Sequence, residues 1–154
     1  MGFSLKICYN GRSEFSGEAM HTMTVIVCLD NANGMRFNHR RQSRDAAVIA
    51  DICATVGSGK LLICPYSEAL FPAAAVTVCE APLAAADRGD SCFIENDPLA
   101  DCGDRIERVI VYRWNRDYPA DVFLDLDLRK YRLESTAEFS GTSHDKITKE
   151  VYIR

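Results

Sequence analysis

The feature that most constrains the fold is an apolar strand that leads through a loop into a helix. Residues 24–29 read TVIVCL, without polar alternation, and such a run is typical of a central strand covered on both faces. Apolar residues then recur at i, i+3, i+4 and i+7 spacing, which predicts a helix over 44–56 with Ser43 as its N-cap. The stripe that faces the core would contain Ile49, Ile52, Cys53 and Val56. A loop between a strand and a helix is a common place for a ligand site.

Short apolar segments alternate with helices or turns through the rest of the chain. Glycine and proline mark most of the boundaries between them. Helical segments are predicted over 67–71, 82–88 and 97–103, and strands over 60–64, 75–79, 92–94 and 106–114. The end of the chain predicts an antiparallel hairpin, with strands over 131–139 and 147–154. This order predicts an α/β fold with a mixed, mostly parallel central sheet closed by a C-terminal antiparallel hairpin.

The length of 154 residues predicts one domain, over residues 23–154. Residues 1–22 have no regular apolar period, so we expect a poorly ordered N-terminal extension. Met20 and Met23 directly precede the first strong strand. A second interpretation is therefore that the start is misassigned and that translation begins inside the chain.

Composition excludes several classes of function. The net charge is −4, which gives no general attraction to nucleic acid or to an anionic membrane. No apolar run approaches the roughly 20 residues that span a bilayer. The seven cysteines contain no C-x-x-C pair, and there are only three histidines. We therefore expect a cytoplasmic protein with reduced cysteines, no metal site and no membrane partner.

Several segments resemble dihydrofolate reductase. The similarity covers about 130 residues from Met23 onward, and the first strand with its Asn-Gly-Met turn resembles that family's opening strand and mobile substrate loop. The resemblance implies a three-layer α/β fold with a cleft for a pterin-like substrate. It also places Asp45 where the family keeps the carboxylate that binds the pterin. The other similar segments are ADCGDRI at 100–106, DYPADVF at 117–123 and the terminal hairpin over 131–138 and 147–152.

The segments that bind NADPH in that family differ here. The family's Gly-Arg-x-Thr/Ser turn is replaced by Pro65, Tyr66 and Ser67. Its Gly-Gly pair is replaced by Glu95 and Asn96, so side chains occupy the phosphate approach and one of them repels phosphate. Although these residues occupy the cofactor-binding positions, they do not match the motif. The sequence therefore predicts that NADPH is not bound.

Asp45 is the candidate catalytic residue. On a helix it shares a face with Ile49 and Ile52, so its carboxylate could bind an amidine-like ring edge in the cleft. Partial burial would raise its pKa toward a role in proton transfer. The alternative is an acid in the first helical turn that only complements the helix dipole.

A dense basic cluster lies between the loop and the helix. It contains Arg36, His39, Arg40, Arg41 and Arg44. Positive charge is unfavourable at a helix N-terminus, which favours an anion held there. A solvated surface is the simpler interpretation. The candidate ligand-binding residues are Asn31, Asn33, Gly34, Arg40, Arg41, Arg44 and Asp45.

Three hypotheses of function follow. The first is a divergent domain that has lost reduction and binds a pterin-like or nucleotide-like small molecule, or a protein partner, in the former substrate cleft. The second is an active NAD(P)H-dependent reductase with a remodelled cofactor site. The third is an RNA-binding or ribonuclease-type protein that uses the cluster from Arg36 to Arg44. We expect His144 and Asp145 to lie in a surface turn, and no Ser-His-Asp set is recognisable from the sequence.

Overall fold

The structure is a computed structural model that describes residues 21–154. Two helices, α1 (Ala46–Val56) and α2 (Pro82–Ala85), accompany ten strands. Short 3₁₀ helices cover Pro65–Leu70, Ala73–Ala75, Ala100–Arg105 and Leu128–Lys130. The strands are β1 (Met23–Leu29), β2 (Gly34–Phe37), β3 (Arg40–Arg41), β4 (Leu61–Ile63), β5 (Thr77–Val78), β6 (Ser91–Phe93), β7 (Ile106–Arg113), β8 (Val122–Phe123), β9 (Arg132–Phe139) and β10 (Ile147–Ile153).

Seven of these strands form one mixed sheet in the order β5-β4-β6-β1-β7-β10-β9. In this order, the first five strands, β5, β4, β6, β1 and β7, all pair in parallel with their neighbours. Strand β10 pairs antiparallel with both β7 and β9. The predicted α/β class and mostly parallel sheet are therefore confirmed.

Strand β1 is buried on both faces, as its continuous apolar run predicts. Val25, Val27 and Leu29 belong to one hydrophobic cluster, and Ile26 belongs to another. The second cluster contains Val48 and Ile52 of α1, so this helix packs on that face of the sheet. Helix α1 thus places its N-terminus beside the carboxyl end of β1.

Helix α1 begins later than predicted. Its N-cap is Asp45, whose Oδ1 accepts a hydrogen bond of 2.9 Å from the Ala47 backbone N–H. A carboxylate satisfies these N–H groups and complements the dipole, so the predicted cap at Ser43 is wrong. Of the predicted stripe only Ile52 is fully buried, whereas Ile49, Cys53 and Val56 are partly buried. The second fully buried residue of the helix is Val48, which the stripe did not include.

The segment between β1 and α1 contains the hairpin β2–β3 instead of a plain loop. Asn38 and His39, at its two-residue turn, both have positive φ. Type I′ turns need this conformation, but histidine there is not a usual signal. Strand β8 pairs with β2 and completes a small three-stranded sheet.

His21 and Thr22 are held on the domain by hydrogen bonds to their backbone carbonyl groups. Arg105 Nε donates to the His21 carbonyl oxygen at 3.0 Å, and the Gly89 N–H donates to the Thr22 carbonyl at 2.9 Å. The predicted extension over 1–22 therefore includes two residues that pack on the domain, and its remainder, 1–20, lies outside the described residues. No helix within residues 21–154 has the length and hydropathy to cross a membrane.

Candidate functional site

The Asp45 carboxylate joins α1 to the loop between β9 and β10. Its Oδ1 accepts from the backbone N–H groups of Ala47 and Thr142, at 2.9 and 2.8 Å. Its Oδ2 accepts from the Ser143 N–H at 2.7 Å and lies 2.9 Å from His144 Nδ1. The side chain has no exposed surface. All four contacts are within the protein, so Asp45 is a buried connector between two elements.

The pKa of Asp45 is shifted opposite to the sequence expectation. Burial alone would raise it, but the hydrogen bonds from His144 and from the Thr142, Ser143 and Ala47 backbones outweigh burial. The pKa therefore lies below that of an ordinary aspartate, because these donors favour the charged form. Asp45 is a carboxylate at neutral pH and is not poised to carry a proton.

His144 is buried, so the expectation of a surface turn was wrong for this residue. Only 2% of its side chain is exposed, and its ring stacks on Trp114 with centroids 4.6 Å apart. Gly141 allows the β9–β10 loop to approach Asp45, because a Cβ atom at this position would lie 2.5 Å from Asp45 Oδ2. Asp145, the neighbour of His144, is exposed as expected.

Two hydroxyl groups flank the second ring nitrogen of His144. Nε2 lies 3.1 Å from Ser43 Oγ and 3.0 Å from Tyr118 Oη. Because the Asp45 carboxylate can only accept a hydrogen bond, Nδ1 carries a proton, and in a neutral ring Nε2 then carries the lone pair. Ser43, His144 and Asp45 thus form a chain of hydrogen bonds across two distant parts of the sequence.

A second cluster joins the β2–β3 hairpin to the carboxyl ends of the parallel strands. Arg41 donates to both carboxylate oxygens of Glu95, at 2.8 and 3.0 Å, and Ser67 Oγ donates to Glu95 at 2.6 Å. The side chains of Arg41 and Glu95 are 19% and 9% exposed. The Glu95 carboxylate raises the pKa of Arg41 by hydrogen bonding. Such a bidentate pair is strong and fixes orientation.

Tyr66 extends this cluster toward the surface. The guanidinium groups of Arg41 and Arg36 lie 4.4 and 4.7 Å from the centre of its ring. Tyr66 Oη accepts from the Arg41 N–H at 3.0 Å. Two of the four arginines in the predicted basic cluster therefore contact protein groups. Arg40 and Arg44 are exposed.

Two neighbouring spaces lie beside α1. An inner space of about 20 Å³ is lined by residues that include Ser43, Glu95 and Trp114. An open outer cleft of about 800 Å³ lies between α1 and the segment 69–72, with Ile49, Leu70 and Phe71 among its walls. The two spaces share wall residues, namely Arg44, Asp45, Ile49 and Leu70. The inner space has the size of about one water molecule, whereas the outer cleft has the size of a small-molecule site.

The remaining predicted site residues serve the local loop structure. Asn31 donates to Asp117 at 2.9 Å, and Asn33, with positive φ, accepts from Arg113. Gly34 is buried next to Asp30, whose side chain accepts from its N–H at 2.7 Å. None of these three lines either space, whereas Arg41 and Asp45 line the inner space and Arg44 and Asp45 line the outer cleft. Pro65 and Asn96 are exposed.

Sequence reasoning missed Ser43, Tyr118 and His144 as a group. They are separated from one another by up to about 100 positions, and no local spacing joins them. A weak signal was available, because Asp45 lies two residues after a serine near a helix start. Among residues 21–154, no group of His, Cys, Asp or Glu side chains has the geometry of a metal site.

Comparison with known proteins supports the fold. The scan against protein-family models and the search of the curated proteins gave no match. Among solved structures, a dihydrofolate reductase from Enterococcus faecalis, complexed with NADP(H) and RAB-propyl, matches with a TM-score of 0.63 and 9% sequence identity. The match covers 87% of this chain and 96% of that chain. This chain therefore has a dihydrofolate reductase-like fold.

Proposed function

We propose that this chain binds a small organic molecule in the outer cleft and does not use NADPH. The observation that carries the proposal is the outer cleft itself, which is open, about 800 Å³ in volume and largely apolar. Arg44, at its wall, adds a positive charge that favours a ligand with an anionic group. Nucleotide-like and folate-like molecules combine a flat aromatic ring, whose faces can pack on apolar side chains, with negative charge.

The inner space argues against a buried pterin ring. It has room for about one water molecule, and the Asp45 carboxylate already accepts four hydrogen bonds from the protein. A pterin would need to displace the β9–β10 loop from Asp45. The ligand is therefore held mainly by the outer cleft.

The Glu95 cluster does not fit a phosphate cradle. Glu95 places a negative charge where the resemblance puts the cofactor phosphates, and its carboxylate is held by Arg41 and Ser67. Phosphate binding would require this charge to move away and Arg41 to lose its partner. The same contacts occupy part of the basic cluster, which disfavours the RNA-binding hypothesis.

The proposal is tested by thermal unfolding with a ligand panel. The panel contains NADPH, dihydrofolate, methotrexate and adenine nucleotides. A ligand at 100 times its Kd stabilises the fold by about 2.7 kcal/mol. We expect stabilisation by at least one of dihydrofolate, methotrexate and the adenine nucleotides, and none by NADPH.

Two variants of α1 locate the binding. Ala50→Trp places a large side chain in the outer cleft and should abolish the ligand shift. Ala54→Trp is the matched control, because Ala54 is exposed on the same helix and does not line the cleft. Stabilisation by NADPH would overturn the cofactor part of the proposal and favour a reductase with a remodelled site. If the ligand raised the unfolding temperature of both variants equally, the ligand would not be bound in the outer cleft.

A further inference from the structure

We propose that Ser43, His144 and Asp45 form a nucleophilic triad that cleaves an ester whose acyl group is bound in the outer cleft. The inference rests on the proposed function, because the substrate must first occupy that cleft. Ser43 would be the nucleophile and His144 the general base. Asp45 would be a positioning residue, since it acts only through His144.

The connectivity of the three side chains matches the chemistry. Asp45 Oδ2 lies 2.9 Å from His144 Nδ1, and His144 Nε2 lies 3.1 Å from Ser43 Oγ. Both distances are within hydrogen-bond reach of a nucleophile and its base. The carboxylate orients the ring and fixes the tautomer that leaves Nε2 able to accept the serine proton.

The position of Ser43 gives the nucleophile access to a bound ester. Ser43 is only partly buried and lines the inner space, whose wall residues Arg44 and Ile49 also line the outer cleft. An acyl chain in the outer cleft can therefore direct its carbonyl group inward. The inner space has room for about one water molecule, and water is the second reactant.

Two positively polarised groups, the Arg44 side chain and the N-terminal end of α1, lie close to Ser43 in the sequence. Helix α1 begins three residues after Ser43, and Arg44 is adjacent in sequence. The N-terminal end of a helix carries about half a positive charge. Such groups stabilise the negative oxygen that develops during acyl transfer.

The reaction has two balanced halves. Ser43 Oγ forms a bond to the carbonyl carbon while its proton passes to His144 Nε2. The tetrahedral intermediate then breaks the ester C–O bond, and the alcohol leaves with the proton from Nε2. In the second half, water gives a proton to Nε2 and its oxygen attacks the acyl-serine. Collapse releases a carboxylic acid and returns the proton to Ser43 Oγ.

Tyr118 provides a distinctive feature of this site. Its hydroxyl lies 3.0 Å from the same Nε2 that faces Ser43. The neutral ring has one lone pair there, so the two hydroxyl groups compete to donate to it. Removal of the tyrosine hydroxyl should leave Ser43 as the sole donor and speed acylation.

The test combines ester hydrolysis with covalent labelling. The full chain is mixed with 4-nitrophenyl esters from acetate to octanoate, and separately with a fluorophosphonate followed by peptide mass analysis. We expect a burst of nitrophenol equal to the protein concentration and a label on Ser43. Ser43→Ala should lower kcat by about a thousandfold or more, while Ser135→Ala, which changes an exposed serine of β9, should not.

Two further variants separate catalysis from folding. Tyr118→Phe should increase the rate of labelling severalfold. For Asp45→Asn, measured where circular dichroism shows a folded chain, kcat should fall while KM changes little. A purely structural network predicts no burst in any of these proteins.

The outcomes separate this inference from the proposed function. A ligand shift that persists in Ser43→Ala, without burst or label in the unmodified chain, overturns the triad and leaves the cleft proposal intact. A label on another nucleophile overturns the triad as well. Absence of both ligand binding and labelling overturns both proposals.

Discussion

Asp45 is the residue on which most of the described site depends. It satisfies the N-terminus of α1, two backbone N–H groups of the β9–β10 loop and the His144 ring at once. The substitution Asp45→Asn keeps the size of the side chain. However, the new amide N–H₂ group would face backbone N–H groups or His144 Nδ1–H, which are also donors. We expect the free energy of unfolding near neutral pH to fall by about 2–5 kcal/mol, measured by urea denaturation.

The loss of stability caused by Asp45→Asn should depend on pH, and it should be smaller in acid. The pKa of Asp45 is lower in the folded chain than the value of about 3.9 for an unfolded aspartate. Its contribution is therefore complete above about pH 5 and is lost as the pH falls through the unfolded pKa toward the lower folded pKa. The stability difference between the unmodified chain and Asp45→Asn should shrink between about pH 5 and about pH 3. A difference that grows in acid would contradict the assignment.

A half-exposed aspartate, Asp127, provides the matched control. Asp127 caps the 3₁₀ helix Leu128–Lys130 by accepting from the Arg129 N–H, and it also pairs with the Arg129 side chain. Solvent screens this pair, so Asp127→Asn should change stability little. Equal losses at Asp45 and Asp127 would mean that burial is not the cause.

Gly34 is constrained by close packing, not by its backbone angles. A Cβ there would lie 2.6 Å from Ala120 Cβ and 2.7 Å from Gln42 Nε2. Gly34→Ala should therefore destabilise the chain by about 1–3 kcal/mol in urea denaturation. Gly103→Ala is the control, because a Cβ there meets only Leu126 at an ordinary 3.5 Å. A neutral Gly34→Ala would show that the β2–β3 hairpin moves without cost.

Among the elements, the pair of Arg41 and Glu95 holds the β2–β3 hairpin against the sheet. Glu95→Gln would leave a partly buried guanidinium without its counter-charge. We expect faster amide hydrogen exchange over residues 34–44 and a loss of about 1–3 kcal/mol in stability. Arg40→Ala, at the exposed neighbouring position of β3, should leave exchange unchanged. Unchanged exchange in Glu95→Gln would show that the hairpin is held by other contacts.

The elements were largely predictable where one local pattern determined them. The run at 24–29 and the period of α1 are local signals, and β1 and α1 lie within three residues of the predicted bounds. The β2–β3 hairpin was missed, because its turn uses Asn38 and His39 at positive φ without a glycine. The sequence singled out Glu95 as a difference at the expected phosphate approach, which stays a prediction, but it did not predict the pairing of Glu95 with Arg41.

The burial of His144 shows why the site was harder to predict than the elements. Its immediate neighbours are polar or small, so the local sequence indicates a surface turn. Its environment comes instead from Asp45 and Trp114, which lie 99 and 30 positions away in the chain. These residues come together in space only when β10 pairs with β7. Such a long-range pairing cannot be inferred from the local pattern of a single sequence.

At the scale of the whole molecule, the order of strands makes the end of the chain essential. Strand β10 lies between β7 and β9, and its Ile147 and Val151 are buried in the core. Removal of residues 146–154 would leave β9 without a partner and Asp45 without an anchored loop. We expect this truncated chain to lose cooperative thermal unfolding, measured by circular dichroism.

A chain that starts at His21 is the matched comparison for this deletion. Within the described residues, the seven-stranded sheet and both hydrophobic clusters are built from residues after position 22, and the extent of the domain, 23–154, stays a prediction. This chain should unfold cooperatively at nearly the same temperature as the full-length protein. Cooperative unfolding of the C-terminal truncation would show that β1, β6 and β7 suffice as a core. Loss of folding on removal of residues 1–20 would instead place part of the stabilising surface before His21. Because the two deletions remove segments at opposite ends, their comparison separates the need for β10 from a general sensitivity to shortening.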